Sequence, residues 1–162
     1  MRDPIEALAY KVAITVKKWD PGITEHVEDI RYKVAYYINY YSVIVISLLI
    51  GVMTNELIGT CLSLISFGIL RKYTGGYHLK TLTGCAVLTI FLLSLIPHIY
   101  MGFFIPQILN IVSFLLVFFF SSKGNHARYL SLMLIGSNLI LNSPVVSLAF
   151  AIQSILLINS RR

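Results

Sequence analysis

Charged residues are scarce in this chain. They make up 12% of its 162 residues, whereas a typical soluble domain contains about 25%. Hydrophobic residues account for 57%, and the mean hydropathy is +0.78. This composition excludes an ordinary water-soluble domain and indicates a membrane protein.

Acidic residues are nearly absent after residue 33. Residues 1–33 hold six acidic and six basic residues and are net neutral. From residue 34 onward Glu56 is the one acid against seven basic residues, so the net charge of +6 lies in the apolar part of the chain. A nucleic-acid-binding function is disfavoured, because phosphate recognition needs basic residues clustered on a water-facing surface.

Cysteine is equally rare, and both cysteines, Cys61 and Cys85, have apolar neighbours. Two such cysteines give neither a disulfide framework nor zinc-ligand spacing, so we predict no metal and no cofactor. Cys61 falls about midway along the second expected membrane span, where a thiol behaves as a small hydrophobic group. The N-terminus mixes both signs of charge and has no continuous apolar core before Trp19, so we expect it to stay in the cytosol without a cleavable signal.

Residues 4–33 carry two apolar stripes at helical spacing, separated by the helix-breaking sequence Asp20-Pro21-Gly22. The pattern predicts two amphipathic helices on the inner membrane surface, so that residues 1–33 form an N-terminal interfacial segment and residues 34–162 the transmembrane domain. The alternative is a water-soluble helical hairpin packed on itself. The stripes consist of Ile5, Leu8, Val12, Val16 and Trp19, and of Ile23, Val27, Ile30 and Val34.

Polar residues divide the rest of the chain into apolar spans. Residues 81–122 are uncharged and long enough for two spans of about 20 residues, while residues 129–160 make two short helices or one long broken helix. The sequence thus predicts an all-α, polytopic membrane protein with about six transmembrane helices. The expected interruptions are Thr54-Asn55-Glu56, the loop 71–80, the reversal at Pro97, Gly102 and Pro106, the loop 123–128, and Asn142-Ser143-Pro144.

The distribution of basic residues favours six spans over five. With six, the loops 71–80 and 123–128 and the pair Arg161-Arg162 share the cytosolic side with the N-terminus, as the positive-inside rule favours. With five, the terminal arginines would lie outside, which the rule disfavours without forbidding.

Candidate chemistry is concentrated in residues 71–85, RKYTGGYHLKTLTGC, where His78 precedes Cys85 by seven residues. Histidine is the side chain best suited to generate a thiolate near neutral pH. On an unbroken helix the two would lie about 10 Å apart along the axis, too far for a hydrogen bond. Gly75 and Gly76 allow the backbone to turn, so that His78 can sit in a re-entrant loop folded over the first turns of the helix bearing Cys85.

Positive charge would favour the thiolate at this place. The N-terminus of the Cys85 helix contributes its dipole, and Arg71, Lys72 and Lys80 contribute if they point inward. The alternative interpretation is a buried cysteine and an interfacial histidine that never touch.

This pattern, Arg71-Lys72-Tyr73-x-Gly75-Gly76-x-His78 followed by Cys85, resembles the accessory gene regulator protein B (AgrB) family. Members are membrane cysteine endopeptidases of Gram-positive bacteria that process the precursor of a quorum-sensing autoinducing peptide. The resemblance implies that His78 is the catalytic base and Cys85 the nucleophile. It implies positioning or electrostatic roles for Arg71, Gly75 and Gly76, and a multi-pass location in the cell membrane with both termini cytosolic.

The resemblance also implies the partner, a precursor peptide with an amphipathic leader and an acidic tail. Cleavage of the tail would leave an acyl-enzyme thioester that closes to a cyclic thiolactone or lactone. Lys72, Lys80, Lys123 and Arg128 would attract the tail. Relatives tend to have a longer and more basic loop where this chain has only Lys123 and Arg128. A homo-oligomer is compatible with the sequence.

Two other functions stay open at this point. A small transporter or exporter could use Asn55, Glu56, Asn138 and Asn142 to line a polar path, although the spans show no inverted repeat and contain a single acid. The other alternative is a membrane partner without catalytic activity.

Overall fold

The computed structural model describes residues 3–76, 79, 81–121 and 123–158, and all regular structure in these ranges is helical. The all-α prediction is therefore confirmed. The elements are α1 (Pro4–Trp19), α2 (Val27–Met53), α3 (Leu57–Thr74), α4 (Leu82–Leu95), a 3₁₀ helix (Ile96–His98), α5 (Phe104–Phe120), α6 (Asn125–Leu141) and α7 (Pro144–Ile158).

Helix α1 confirms the first predicted amphipathic segment, including its end at Trp19 before Asp20-Pro21-Gly22. Its protein-facing side, however, consists of alanine. Ala9 and Ala13 are fully buried, whereas Leu8 is 52% and Trp19 85% exposed. The small residues thus face the protein, whereas the larger members of the apolar stripe are partly buried (Ile5, Val12 and Val16) or exposed (Leu8 and Trp19).

The second predicted amphipathic helix is not a separate element. Residues from Val27 onward continue without a break to Met53. Because no glycine or proline lies between Val27 and Gly51, nothing in the sequence ends the helix at the expected boundary of residue 33. Glu28 and Asp29 in the first turn complement the helix dipole, so the interfacial residues form the beginning of the long helix.

The other predicted interruptions mostly hold. Asn55 adopts a positive φ of 58° in the turn between α2 and α3, and Asn142 ends α6 in the left-handed conformation with a φ of 49°. The described part of this stretch, residues 129–158, thus belongs to two helices. The expected loop 123–128 is shorter than predicted, because α6 already begins at Asn125, and the Arg128 N–H donates to the Gly124 carbonyl at 3.1 Å.

Helix lengths bear on the number of membrane spans. Within the described residues, α2 is the helix long and apolar enough to cross a membrane, while Leu82–His98, α5 and α7 are apolar but shorter. Helices of 14–17 residues extend roughly 21–26 Å, compared with a hydrocarbon core of about 30 Å. Six helices follow α1 in the described ranges, but the six-span topology stays a prediction. Arg161 and Arg162 lie outside the described residues.

The chain forms two compact units. The boundary expected between residues 33 and 34, which would separate an interfacial segment from a transmembrane domain, stays a prediction. The first unit comprises Met1–Ile46 and His78–Phe91, and the second Ser47–Tyr77 and Leu92–Arg162. In the second unit, α7 packs against α3 and α5, and α5 packs against α6. Its apolar core is built from Leu70, Val117, Leu132, Ile135, Phe150 and Leu157.

Polar side chains also connect helices inside the second unit. The buried Asn138 Nδ2 donates to Asn110 Oδ1 at 3.2 Å and to Ser147 Oγ at 2.8 Å, which ties α6 to α5 and α7. The Ser63 hydroxyl lies 2.9 Å from the Leu93 carbonyl oxygen, to which it donates. Such bonds join helices where lipid gives no hydrophobic drive for helix association.

Candidate functional site

The glycine pair forms the turn that the sequence predicts at the end of α3. Gly75 caps the helix with a φ of 79°, and its N–H donates to the Arg71 carbonyl at 2.9 Å. Gly76 follows with a φ of 155°. Residues with a side chain avoid such conformations, so both glycines are required. His78 and Lys80, the expected base and substrate contact, lie outside the described residues.

Cys85 lies in the first turn of α4, as predicted, and is 9% exposed. The N–H groups of this turn are engaged within the protein. That of Thr83 donates to Asp3, that of Gly84 to the Thr81 hydroxyl, and that of Cys85 to the Thr81 carbonyl. Cys85, the predicted nucleophile, is therefore a buried thiol in a first helical turn. The backbone N–H groups of this turn already donate to acceptors within the protein.

Cys61 lies elsewhere than expected along its helix. Because α3 begins at Leu57, Cys61 falls in the second turn of the helix rather than midway. It is partly exposed, and no disulfide joins it to Cys85.

Asp3 caps two helices whose first turns lie 80 residues apart in sequence. At the start of α1 its Oδ1 accepts the Ile5 N–H at 2.9 Å and the Glu6 N–H at 3.4 Å. Oδ1 also accepts the Thr83 hydroxyl at 2.7 Å, and Oδ2 accepts the Thr83 N–H at 3.0 Å. Asp3 therefore anchors α1 to the first turn of α4, two residues before Cys85.

The charge of Asp3 modifies the electrostatics predicted for the thiol. Burial raises the pKa of the Asp3 carboxyl, but hydrogen bonds from Thr83, Glu6 and Ile5 outweigh burial, and the pKa lies below its ordinary value of 3.8. The group is thus a carboxylate at neutral pH. Its negative charge at the start of α4 offsets the positive end of the helix dipole. The dipole therefore stabilises a Cys85 thiolate less than the sequence predicts.

Gln153 binds the glycine turn from α7. Its side chain is fully buried, and its Nε2 donates to the Gly75 carbonyl at 2.5 Å and to the Thr74 hydroxyl oxygen at 3.2 Å. A Cβ added to Gly76 would lie 3.1 Å from the same nitrogen. Gln153 therefore binds Gly75 and leaves little room for a side chain at Gly76.

Sequence reasoning missed Asp3, Thr83 and Gln153. Asp3 followed by Pro4 is a recognisable helix start, so the local half of its role was available from the sequence. Its contact with Thr83, and that of Gln153 with Gly75, join residues about half the chain apart and leave no periodic signal.

The basic residues proposed for substrate binding differ in exposure. Lys72 and Lys123 are exposed, whereas Arg71 is half-buried with its guanidinium 5.6 Å from the centre of the Phe67 ring. Arg128 is also half-buried, and its Nη2 donates to the Ser121 carbonyl at 3.4 Å. A peptide could reach the two exposed lysines without rearrangement of the protein. The roles of Lys72, Lys123, Arg71 and Arg128 toward the substrate stay predictions.

The residues suggested for a transport path have local structural roles. Asn138 holds α5, α6 and α7 together, Asn142 caps α6, and Asn55 and Glu56 form the turn before α3. These roles explain the side chains without transport, which stays an alternative prediction.

Comparison with known proteins gives one family match. The family model described as Accessory gene regulator B matches residues 9–125, well over half of the chain. The match includes the glycine turn, His78 and Cys85, whereas Asp3 and Gln153 lie outside it. No curated protein and no solved structure matches the chain.

Proposed function

The chain belongs to the accessory gene regulator B family, membrane proteins that process the autoinducer propeptide of quorum sensing, and we propose that it acts as a membrane-embedded cysteine endopeptidase. The observation that carries the proposal is the placement of Cys85 as a buried thiol in the first turn of α4. His78 precedes it by seven residues, after a turn that only glycine can form.

In the proposed reaction His78 removes the thiol proton of Cys85, and the sulfur attacks a peptide carbonyl of the propeptide. The tetrahedral intermediate collapses as the C–N bond breaks. The leaving amine takes the proton from the His78 imidazolium and departs with the C-terminal tail. The propeptide's N-terminal part stays on Cys85 as a thioester. Because the first-turn amides from Thr83 to Cys85 already have acceptors, the oxyanion needs other donors.

Ring closure follows from the same intermediate. A thiol or hydroxyl of the bound propeptide attacks the thioester carbonyl and releases Cys85, which gives a cyclic thiolactone or lactone. Thiolactone formation exchanges one thioester for another and needs no ATP. Water competes for the thioester, and the burial of Cys85 supports exclusion of water from the nucleophile.

The substrate we propose has an amphipathic leader and an acidic tail. Lys72 and Lys123 are exposed and positive, and together with Lys80, Arg71 and Arg128 they would attract the tail electrostatically. The proposed location is the cell membrane of a Gram-positive bacterium, with six spans and both termini in the cytosol.

The test of the proposed function removes each member of the dyad. The chain is co-expressed with the tagged short peptide encoded nearest to its own gene, and cleavage is followed by mass spectrometry. Cys85→Ala and His78→Ala should each abolish cleavage while membrane insertion is kept. Cys85→Ser should be nearly inactive, because a hydroxyl is far less acidic than a thiol.

Cys61→Ala is the matched control, since it removes the other thiol and should leave cleavage near the wild-type rate. If Cys61→Ala were inactive and Cys85→Ala processed the peptide normally, the assignment of the nucleophile would be wrong.

A further inference from the structure

The glycine turn before His78 is fixed by a side chain from the far end of the chain. Gln153 is separated from Gly75 by 78 residues, yet its Nε2 donates to the Gly75 carbonyl and to the Thr74 hydroxyl oxygen. Gly75 is the C-cap of α3, where carbonyls have lost their intrahelical partners. The amide of Gln153 supplies a donor at the point where the chain leaves the helix.

Such a residue is costly to place inside a helical bundle. Gln153 is 0% exposed, and a buried amide must recover its desolvation through hydrogen bonds. Ordering a long glutamine side chain also costs conformational entropy. Its Oε1 has no hydrogen-bond partner among the described residues. The two hydrogen bonds from Nε2 to the turn therefore offset the desolvation of the amide and the entropy lost by ordering the side chain.

The turn and the glutamine fit each other sterically as well. A Cβ at Gly76 would lie 3.1 Å from Gln153 Nε2, which is closer than ordinary van der Waals contact. Gly76 is therefore required both by its φ of 155° and by the approach of the amide. The position of Gly76 is set by α7 as well as by α3.

We infer that Gln153 is a positioning residue for the glycine turn from which the chain continues to His78. By binding the Gly75 carbonyl and the Thr74 hydroxyl it fixes the turn that precedes the proposed base in sequence. The inference rests on the proposed function, because a positioned base matters only if His78 activates Cys85. A misplacement of about 1 Å in a catalytic group can lower the rate about 100-fold.

The test replaces the amide by a side chain of similar length without a donor. Gln153→Met is prepared in a Cys61→Ala background, so that Cys85 is the one thiol, and is reconstituted in lipid vesicles. Iodoacetamide alkylation of Cys85 is measured against pH, together with cleavage of the co-encoded peptide. We expect kcat to fall by about 10- to 100-fold with KM little changed. The pH midpoint of alkylation should rise toward that of His78→Ala.

Asn138→Leu is the control for general damage. Asn138 is a buried amide of the same unit that also donates to two side chains, but it does not bind the glycine turn. It should leave the alkylation profile unchanged. Thr74→Val removes one of the two acceptors of Gln153 and should cause a smaller loss in the same direction. Combined with Gln153→Met, it should add nothing further.

The outcomes separate the inference from the proposed function. If Cys85→Ala abolishes cleavage but Gln153→Met keeps the wild-type kcat and alkylation profile, the inference is overturned and the endopeptidase proposal stands. The same holds if Asn138→Leu shifts the profile equally, or if Gln153→Met raises only KM. If Cys85→Ala still cleaves, both are overturned. Should Gln153→Met fail to insert, an unaltered Thr74→Val variant overturns the inference.

Discussion

At the scale of single residues, Asp3 combines a local and a distant task. Its carboxylate caps the first turn of α1 by accepting hydrogen bonds from the Ile5 and Glu6 N–H groups. It also accepts hydrogen bonds from the N–H and the hydroxyl of Thr83. A charged acceptor makes stronger hydrogen bonds than a neutral one. This one side chain therefore holds α1 against the start of the helix that carries Cys85.

Removal of this carboxylate should weaken the first unit. Asp3→Ala loses a helix cap, worth about 1 kcal/mol in general, and also leaves the Thr83 amide without its acceptor. We expect faster proteolysis of α1 and slower peptide cleavage, measured on vesicle-reconstituted protein. Asp3→Asn keeps one acceptor oxygen and should show a smaller effect. Glu6→Ala, an exposed acid of the same turn, should change neither quantity.

The lowered pKa of Asp3 predicts a pH dependence of the same contact. Because the folded-state pKa lies below 3.8, the stabilisation by Asp3 is complete above the ordinary pKa and is lost as the pH falls through the lower folded value. Protection of α1 from an acid-active protease should therefore decline below about pH 4 in the wild type. An Asp3→Asn variant should show no such decline, and an equal decline in that variant would contradict this role.

Local chemistry explains which site residues the sequence predicted. The turn at Gly75 and Gly76 was predictable because left-handed backbone conformations select glycine, and the position of Cys85 because helix starts have local signals. Gln153 was not predictable, since a glutamine in an apolar helix gives no indication of the carbonyl it will bind. The same holds for Thr83 as the partner of Asp3.

At the scale of elements, α1 turns its alanines toward the protein. Ala9 and Ala13 are buried while Leu8 and Trp19 are exposed, whereas the helices of soluble proteins usually bury their large apolar residues. The exposed residues are those that would enter a lipid interface. This arrangement supports a role of α1 in binding an amphipathic peptide leader at the membrane surface.

Polar substitutions on this stripe should weaken substrate binding rather than chemistry. Replacing Ile5, Leu8 and Val12 together by Ser should raise KM for the peptide and leave kcat nearly unchanged, because the substitutions remove apolar side chains but keep Asp3 and the backbone amide of residue 5 that binds it. The measurement is a precursor titration in vesicles. Lys11→Ser on another face of α1 is the matched control. Unchanged processing across the titration would show that α1 takes no part in docking.

The helix boundaries show where sequence patterns suffice. Breaks marked by proline, glycine or asparagine were predicted correctly, as at Asp20-Pro21-Gly22 and Asn142. Two helix boundaries were not. The pattern before residue 33 predicted a helix separate from the following span, although nothing ends α2 there, and polar residues at 123–128 suggested a loop where α6 already begins at Asn125. Helices tolerate polar residues wherever no breaker is present. A change from polar to apolar composition marks a membrane boundary without ending a helix.

At the scale of the whole molecule, the basic residues predict the topology. Residues 71–80, residues 123–128 and the pair Arg161-Arg162 carry the basic residues beyond residue 33, while the turn at Thr54-Asn55-Glu56 carries the lone acid. The positive-inside rule assigns these two groups to opposite sides of the membrane. The short lengths of α4 to α7 limit how far hydropathy alone could predict their spans.

A reporter that is active only outside the cell tests this topology. Fused after Arg162 it should be inactive, and inserted after Asn55 it should be active, because the six-span arrangement puts these sites on opposite sides. Activity of the C-terminal fusion would contradict six spans. Immunoblotting for equal amounts of both fusions is the control.

The contact between Asp3 and Thr83 also dictates an order of events during biosynthesis. Ribosomes add about 5–20 residues per second, so α1 waits roughly 4–16 s before its partner has been made. During that interval Asp3 already accepts the Ile5 and Glu6 amides of its own helix. Helix α1 can thus form before α4 exists. Any fusion that delays release of the N-terminus would postpone the contact between Asp3 and Thr83.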